Sequence, residues 1–262
     1  MKKLILLMLV LSIGEVCAQR PAVWKGKKCA VVLTYDDALN VHLDNAIPLL
    51  DSLGFKGTFY LSGYFPGFKN RIEDWRRVAA KGHELANHTL FHPCIGNRPG
   101  REWVKPDQAM EKYTVQRMRD EMRMTNVLLR TLDGKSKRTF AYPCGDTHIG
   151  DSLYIKGMRS DFVASRGTKA ESLKVTEIDL EEIGCYGVNG NKGEDLIGLV
   201  KKGMEQNTLV VFLFHGVGGE HGLNVSLRDH RVLLDFLKQN EKDLWITTML
   251  DAAEHVKLMQ GR

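Results

Sequence analysis

The chain has 262 residues, 43% of them hydrophobic, with 37 Lys and Arg against 32 Asp and Glu, a formal net charge of +5. That length and apolar content supply a large core, so disulfides are not required to hold the fold together. The charges are dispersed along the chain and no nucleic-acid motif occurs, which makes them solvated surface and argues against a nucleic-acid partner.

The first residues read as a targeting segment. Lys2 and Lys3 precede an apolar run over 4–13, and Val16-Cys17-Ala18 suits cleavage before Gln19. Residues 1–18 are therefore expected to be a signal peptide and 19–262 the catalytic domain, exported to the periplasm or the exterior, with a mature charge of +4. Gly14, Glu15 and Val16 do not resemble the box that precedes a lipidated cysteine, and the apolar run is too short to span a bilayer comfortably. No span is expected in the mature protein. Four cysteines remain, Cys29, Cys94, Cys144 and Cys185. They allow three complete pairings, among which sequence does not choose, and Cys29, beside an apolar strand, reads as a buried free thiol.

In chain order, strands and helices alternate. Residues 30–34 form a short β-branched run, and 42–53 carry apolar residues near helical spacing with Gly54 as the stop. A second strand is predicted over 57–61, a short helix over 73–81 and a third strand over 83–87. Residues 93–107, with Gly96, Pro99, Gly100 and Pro106, form an excursion that borders a groove, and a long surface helix follows over 108–132. Further strands are predicted at 139–142, 162–165, 182–186, 208–214 and 244–247, with helices over 226–238 and 248–257. No linker, composition shift or internal repeat divides the series, so a single-domain, distorted α/β barrel of (β/α) type is the economical fold.

The chemistry concentrates at predicted strand ends. His88 and His92 lie four residues apart, a spacing that lets two imidazoles reach one ion from a single helical turn, and Asp36-Asp37 closes the first strand. One carboxylate completes a facial triad that suits zinc and also accepts cobalt, nickel, manganese or iron; the other is free to act as a general base. Leu213 and His215 sit two residues apart at the end of the strongest strand and face the same way, with Phe214 facing away.

Together these residues resemble the polysaccharide deacetylase family, also called the NodB homology domain or carbohydrate esterase family four. Thr34-Tyr35-Asp36-Asp37 is similar to its T-F-D-D motif, His88-Thr89-Leu90-Phe91-His92 to its H-[ST]-x-x-H motif, and Leu213-Phe214-His215 to its L-x-H motif. The resemblance implies that Asp37, His88 and His92 bind a divalent metal, most simply zinc, that Asp36 is the catalytic base and that His215 is the general acid. Leu213 and Tyr142 would line the substrate pocket. One motif departs. Phe140-Ala141-Tyr142-Pro143-Cys144-Gly145 stands where the family carries R-P-P-Y-G, so Ala141 replaces the arginine that orients the base. The Cys144 amide can still serve as oxyanion donor, since that role belongs to the backbone. Arg166, after the next strand, is the candidate to supply the missing guanidinium. The family's D-x-x-D-W motif is not recognisable; Asp179, Glu181 and Glu182 are candidates to orient His215.

The expected activity is removal of acetyl groups from N-acetylated glycans or oligosaccharides. Alternatives are an O-acetyl esterase such as an acetylxylan esterase, a catalytically silent metal-containing carbohydrate module, or an amidohydrolase acting on a non-sugar amide. Of the remaining histidines, His83 is expected to pack at the start of its strand, and His42, His148, His230 and His255 to be surface or helix residues. His221, in a glycine-rich loop, and Trp103, in the 93–107 excursion, are the outlying residues nearest the groove.

Overall fold

The computed structural model describes residues 23–262, so the expected targeting segment, residues 1–18, lies outside the described residues. The strand Cys29–Asp36 is buried at every position, as a strand covered on both faces must be. It pairs in parallel with Thr208–Phe214 on one side, in register from Ala30 and Leu209 to Tyr35 and Phe214. On its other side the partners change along its length. Cys29 to Val32 pair with Leu244–Thr247, whereas Thr34 to Asp36 pair with Thr58–Leu61. From there the sheet continues through Glu84–Asn87, Thr139–Ala141 and Ala164–Arg166. Its order therefore runs Ala164–Arg166, Thr139–Ala141, Glu84–Asn87, Thr58–Leu61, Cys29–Asp36, Thr208–Phe214, with short Leu173–Lys174 antiparallel at the far edge. The result is a curled half-barrel.

Alternation along each strand separates two cores. Val31, Leu33, Tyr35, Val210, Phe212 and Phe214 face outward to the helices, whereas Ala30, Val32, Tyr60, Ala86, Ala141, Ala164, Leu209, Val211 and Leu213 face the concave interior. Small side chains at 30, 86, 141 and 164 allow the sheet to curl. Leu213 thus faces inward and Phe214 outward, as the alternation requires.

Several predicted elements have different bounds or character. The helix over 42–53 is a π-helical turn, His42–Ala46, running into an α-helix, Ile47–Leu53, ended by Gly54 in the left-handed conformation. The long helix spans Val115–Asp133 instead of starting at 108, because the Thr114 hydroxyl accepts from the Arg117 amide and caps it there. Residues 182–186 give only a bridge from Ile183 to Arg166 and the two-residue strand Tyr186–Gly187. Ser226 and Thr248 cap Leu227–Gln239 and Met249–Met259 in the same way as Thr114. No helix among the described residues is long and apolar enough to cross a membrane. Cys29 and Cys185 are buried free thiols. His42 and His230 are on helices but fully interior.

His230 Nε2 lies 2.9 Å from the Tyr35 hydroxyl. Burial lowers its pKa from 6.5 to about 3. Below the unfolded value the unfolded chain binds a proton that the folded chain refuses, so stability falls as pH drops through this window. Between pH 7 and pH 5 this residue alone is expected to remove roughly 2 kcal/mol. Denaturant midpoints at pH 7 and pH 5 should therefore diverge more for the native chain than for His230→Phe. Equal divergence would mean that His230 is not held neutral.

Candidate active site

The interior face of each strand continues, by steps of two, into the mouth of the half-barrel. Ala30, Val32 and Thr34 lead to Asp36; Ala86 leads to His88; Ala164 leads to Arg166; Leu209, Val211 and Leu213 lead to His215. Chain distance is thereby converted into one cluster, as expected where catalytic groups arrive from the C-terminal ends of several strands.

Asp37 would face outward if the strand continued. Instead Asp37 and Ala38 adopt positive φ, 78° and 54°, and the Asp37 amide donates to the Tyr60 carbonyl at 3.1 Å. This kink returns the second carboxylate to the mouth beside the first. It also brings the Ala38 carbonyl against Gly67, where a Cβ would lie 2.0 Å from the oxygen, so only glycine fits there.

The two histidines do not share a helical turn. Residues 88–92 form an irregular loop with Thr89 and His92 at φ 64° and 54°. Side chains close it: the Thr89 amide donates to Asn87 Oδ1 at 2.8 Å and the His92 amide to Thr89 Oγ1 at 2.9 Å. Such local side-chain bonds compete with the helical ladder, and Pro93 follows directly. The rings nevertheless converge. His88 Nε2 and His92 Nε2 lie 3.6 and 3.4 Å from Asp37 Oδ1, a buried oxygen without a hydrogen-bond partner. His88 Nδ1 donates to the Ala141 carbonyl at 2.8 Å, which fixes the tautomer and leaves the Nε2 lone pair facing Asp37. Burial lowers the pKa of both histidines to about 4, against the pull of Asp36 and, for His88, Asp37. Asp37, His88 and His92 each offer one ligand atom, all within 4.8 Å of one another, which fits a divalent cation.

Asp36 is buried and faces Arg166, whose Nη2 donates to Oδ1 at 2.6 Å and also to Oδ2. Burial alone would raise the Asp36 pKa; the Arg166 charge, with His88 and His215, outweighs it and holds the carboxyl below its ordinary value. Arg166 Nη1 also donates to the Gly167 carbonyl at 3.2 Å, and its guanidinium lies 5.0 Å from the Tyr60 ring. Arg166 is the register partner of Ala141 in the neighbouring strand. Ala141, expected from the resemblance to replace an arginine, and Arg166 are thus side by side.

Cys144 turns at φ 57° within Pro143–Gly145 and is joined to Cys94 by a disulfide that closes a 50-residue separation. Sequence left that pairing open. The bond ties the loop carrying His92 to the turn carrying the candidate oxyanion amide, and a loop of this length corresponds to roughly 4 kcal/mol in the chain-entropy picture. Asp146 reinforces the junction, accepting from the Ile95 amide at 2.9 Å, from Arg98 at 2.8 Å and from Arg101. Sequence patterning missed this knot, because its partners are 45 to 51 residues away from Asp146.

The cavity over the cluster measures about 550 Å³. Leu213, Tyr142 and Cys144 line it, together with Trp103, 60% exposed on the excursion. The Tyr142 hydroxyl is engaged, donating to the Glu181 carbonyl at 2.8 Å. His215 Nε2 lies 3.9 Å from Asp37 Oδ2. Burial lowers the His215 pKa, opposed by Asp36 and Asp37. Among the described residues, Asp179, Glu181 and Glu182 make no ion pair with His215: Asp179 Oδ1 accepts from the Glu181 amide and Glu181 pairs with Arg159.

Residues 25–155 match the family model described as polysaccharide deacetylase, and the chain belongs to that family. A chitooligosaccharide deacetylase of Sinorhizobium fredii is 38% identical over 67 residues, 25% of this chain and 30% of the relative. The chain spans less than a third of the length of the first curated relatives it matches. Among solved structures, a candidate polysaccharide deacetylase from Mycobacterium smegmatis superposes with a TM-score of 0.59 at 18% identity, covering 90% of this chain and 92% of the other. A family 4 acetyl xylan esterase from Clostridium thermocellum, in complex with a cobalt ion, gives 0.52 at 18% identity over 88% and 92%. These two likenesses concern the fold. The matched family segment ends before Arg166 and His215, whose places in the cluster are read from this chain's own geometry.

Each of Asp37→Ala, His88→Ala and His92→Ala is expected to weaken metal binding by more than the roughly 10–100-fold typical of losing an outer-shell partner. Metal content after dialysis is the measurement. Stoichiometric metal retained by all three variants would move the ion elsewhere.

Proposed function

We propose that this chain is an exported, divalent-metal-dependent deacetylase that removes acetyl groups from N-acetylated glycans or oligosaccharides. The observation that carries the reading is the buried Asp36 carboxylate, oriented by Arg166 and adjacent to the converging Asp37, His88 and His92. Export is supported by the targeting pattern of residues 1–18 and by the Cys94–Cys144 disulfide, a bond that persists in oxidising compartments.

Held by Asp37, His88 and His92, a divalent ion would supply Lewis acidity toward the acetyl carbonyl and ease deprotonation of the attacking water. Asp36 accepts that proton, and Arg166 keeps its carboxylate ionised and in one orientation. The Cys144 amide donates toward the carbonyl oxygen as negative charge develops there. His215, which follows Phe214, the register partner of Tyr35, and so stands beside Asp36, delivers a proton to the departing nitrogen. Leu213 and Tyr142 supply the walls around the acetyl methyl, and the Cys94–Cys144 bond holds the turn that aims the amide.

An O-acetyl substrate is the second reading, and the fold shared with an acetyl xylan esterase favours keeping it. The leaving groups differ. An amine must be protonated to depart, whereas an alcohol depends on that proton less. Acetate release from acetylated chitooligosaccharide and acetylxylan, with and without chelator, separates them. Release from the amide substrate should dominate, vanish with chelator and return on adding zinc or cobalt; no release from either substrate would end both readings.

Asp36→Asn and His215→Ala should keep their metal and lose roughly a hundredfold or more in turnover, the usual scale for a positioned proton-transfer group. Near-normal turnover in either variant removes its assigned role. Arg166→Met should also move the acidic limb of the rate profile to higher pH. With the guanidinium gone, burial acts on Asp36 with less opposition, its pKa rises, and the ionised base is lost earlier as pH falls. Arg166→Lys keeps the charge but lacks the planar fork, so kcat is expected to fall more than KM rises. An unmoved limb in Arg166→Met and intact kcat in Arg166→Lys would together exclude the orienting role.

A further inference from the structure

Among the described residues the carboxylate within 4 Å of His215 is that of Asp37, whose Oδ2 lies 3.9 Å from His215 Nε2 and equally 3.9 Å from His221 Nε2. It is therefore not a dedicated partner, yet a proton donor needs a defined orientation. What faces it is another imidazole. The His221 ring lies parallel to the His215 ring, with centroids 4.7 Å apart and planes within 13°. His221 Nδ1 accepts from the Leu223 amide at 3.0 Å, which fixes that ring within its own loop.

The loop in turn is fastened to one short segment at four points. Glu220, at φ 66°, accepts through Oε1 from Asn40 Nδ2 and through Oε2 from the Val41 amide, both at 2.7 Å. His42 Nε2 donates to the His215 carbonyl at 2.7 Å, and Asn45 Nδ2 donates to the Val217 carbonyl at 2.7 Å. The segment includes the π-helical turn His42–Ala46, a departure from α geometry of the kind that recurs at functional sites. Gly218 sits in the seam, where a Cβ would approach Leu227 to 2.6 Å and Asn45 Nδ2 to 3.3 Å. Residues shortly after the Asp36-Asp37 pair therefore set the position of the loop that follows His215 and carries His221.

We propose that residues 40–45 and Glu220 form a rail that holds His221 against His215, making His221 and Glu220 positioning residues for the proton donor. Stacking, not proton transfer, is the function assigned to His221. This rests on the reading of His215 as the donor to the leaving group. Four hydrogen bonds and a parallel ring together do for His215 what a carboxylate partner would otherwise do.

His221 and Glu220 are both accessible loop residues, and their substitution leaves the two cores intact. His221→Ala is expected to lower kcat about tenfold, the scale of losing one stacked aromatic contact, with little change in KM and with metal content retained. His221→Phe keeps a flat ring and should restore most of that loss. Glu220→Ala should reproduce the alanine effect, and the Glu220→Ala/His221→Ala double variant should be no worse than either single, because both act through one geometry. Ring-proton resonances of His215 report the stack whether or not a substrate is turned over. They should shift downfield in His221→Ala and Glu220→Ala and stay shielded in His221→Phe. Unmoved His215 resonances in His221→Ala, normal kcat in that variant, equal impairment by alanine and phenylalanine, or additive losses in the double variant would each overturn the proposal. A native chain that released no acetate at all would instead sink the functional reading, while the resonances still decided the geometry.

Discussion

The contact between Arg166 and Asp36 constrains everything else at the mouth. In the sheet order their strands are separated by three others, so a flat sheet would put them about 19 Å apart. An arginine side chain cannot cross that distance. Nη2 nevertheless donates to Oδ1 at 2.6 Å, so the sheet must curl until its edge strand faces the strand Cys29–Asp36 across the interior. Alanines at 30, 86, 141 and 164 lie on that interior face. The curl also encloses the carboxylate and guanidinium in a region where an unpaired charge would destabilise by about 3–5 kcal/mol. The pair and the curvature require one another: without curvature there is no contact, and without the contact two buried charges stand alone.

From that requirement the rest of the constellation follows by alternation. Once the even face of the strand Cys29–Asp36 is interior, Asp36 points inward by necessity, and His88, Arg166 and His215 are the corresponding next-but-one residues after interior positions on their own strands. Much of this was legible in the sequence. The strands over 208–214 and 244–247 were predicted with the bounds they have, and the assignment of Leu213 to the interior and Phe214 to the helical side needed only a period of two. Strand ends are where that inference is strongest, because a strand's direction is set before its terminal residue is reached.

What was illegible lies where the chain abandons regular periods. Histidines four residues apart suggested a helical turn, but Asn87 and Thr89 side chains bind the backbone locally and two residues take left-handed conformations, so the same spacing closes as a loop. The Cys94–Cys144 pairing and the Asp146 knot depend on where the excursion after His92 returns. The four bonds from residues 40–45 to the loop after His215 span more than 170 residues of chain. Side chains such as Asn45 and Glu220 gave no sign of this in sequence, because an exposed amide or carboxylate in a polar stretch looks the same whether it meets solvent or a distant carbonyl.

The exchange between Ala141 and Arg166 has a physical logic of its own. In a parallel pair, register neighbours on the same face stand one strand spacing apart, about 4.8 Å, which is within the flexibility of an arginine stem. A guanidinium can therefore be delivered to the same carboxylate from either strand if the other carries a small residue. Two arginines in these places would bury two cations against one carboxylate, with no second charge to offset the desolvation. Alanine at 141 is thus the complement of arginine at 166, whose guanidinium lies 5.0 Å from the Tyr60 ring. The Ala141 carbonyl still receives His88 Nδ1–H, because that contact uses backbone alone. In this chain, then, a planar cation faces Asp36 from the edge strand and a backbone carbonyl stands behind His88, and neither contact asks anything of the side chain at 141.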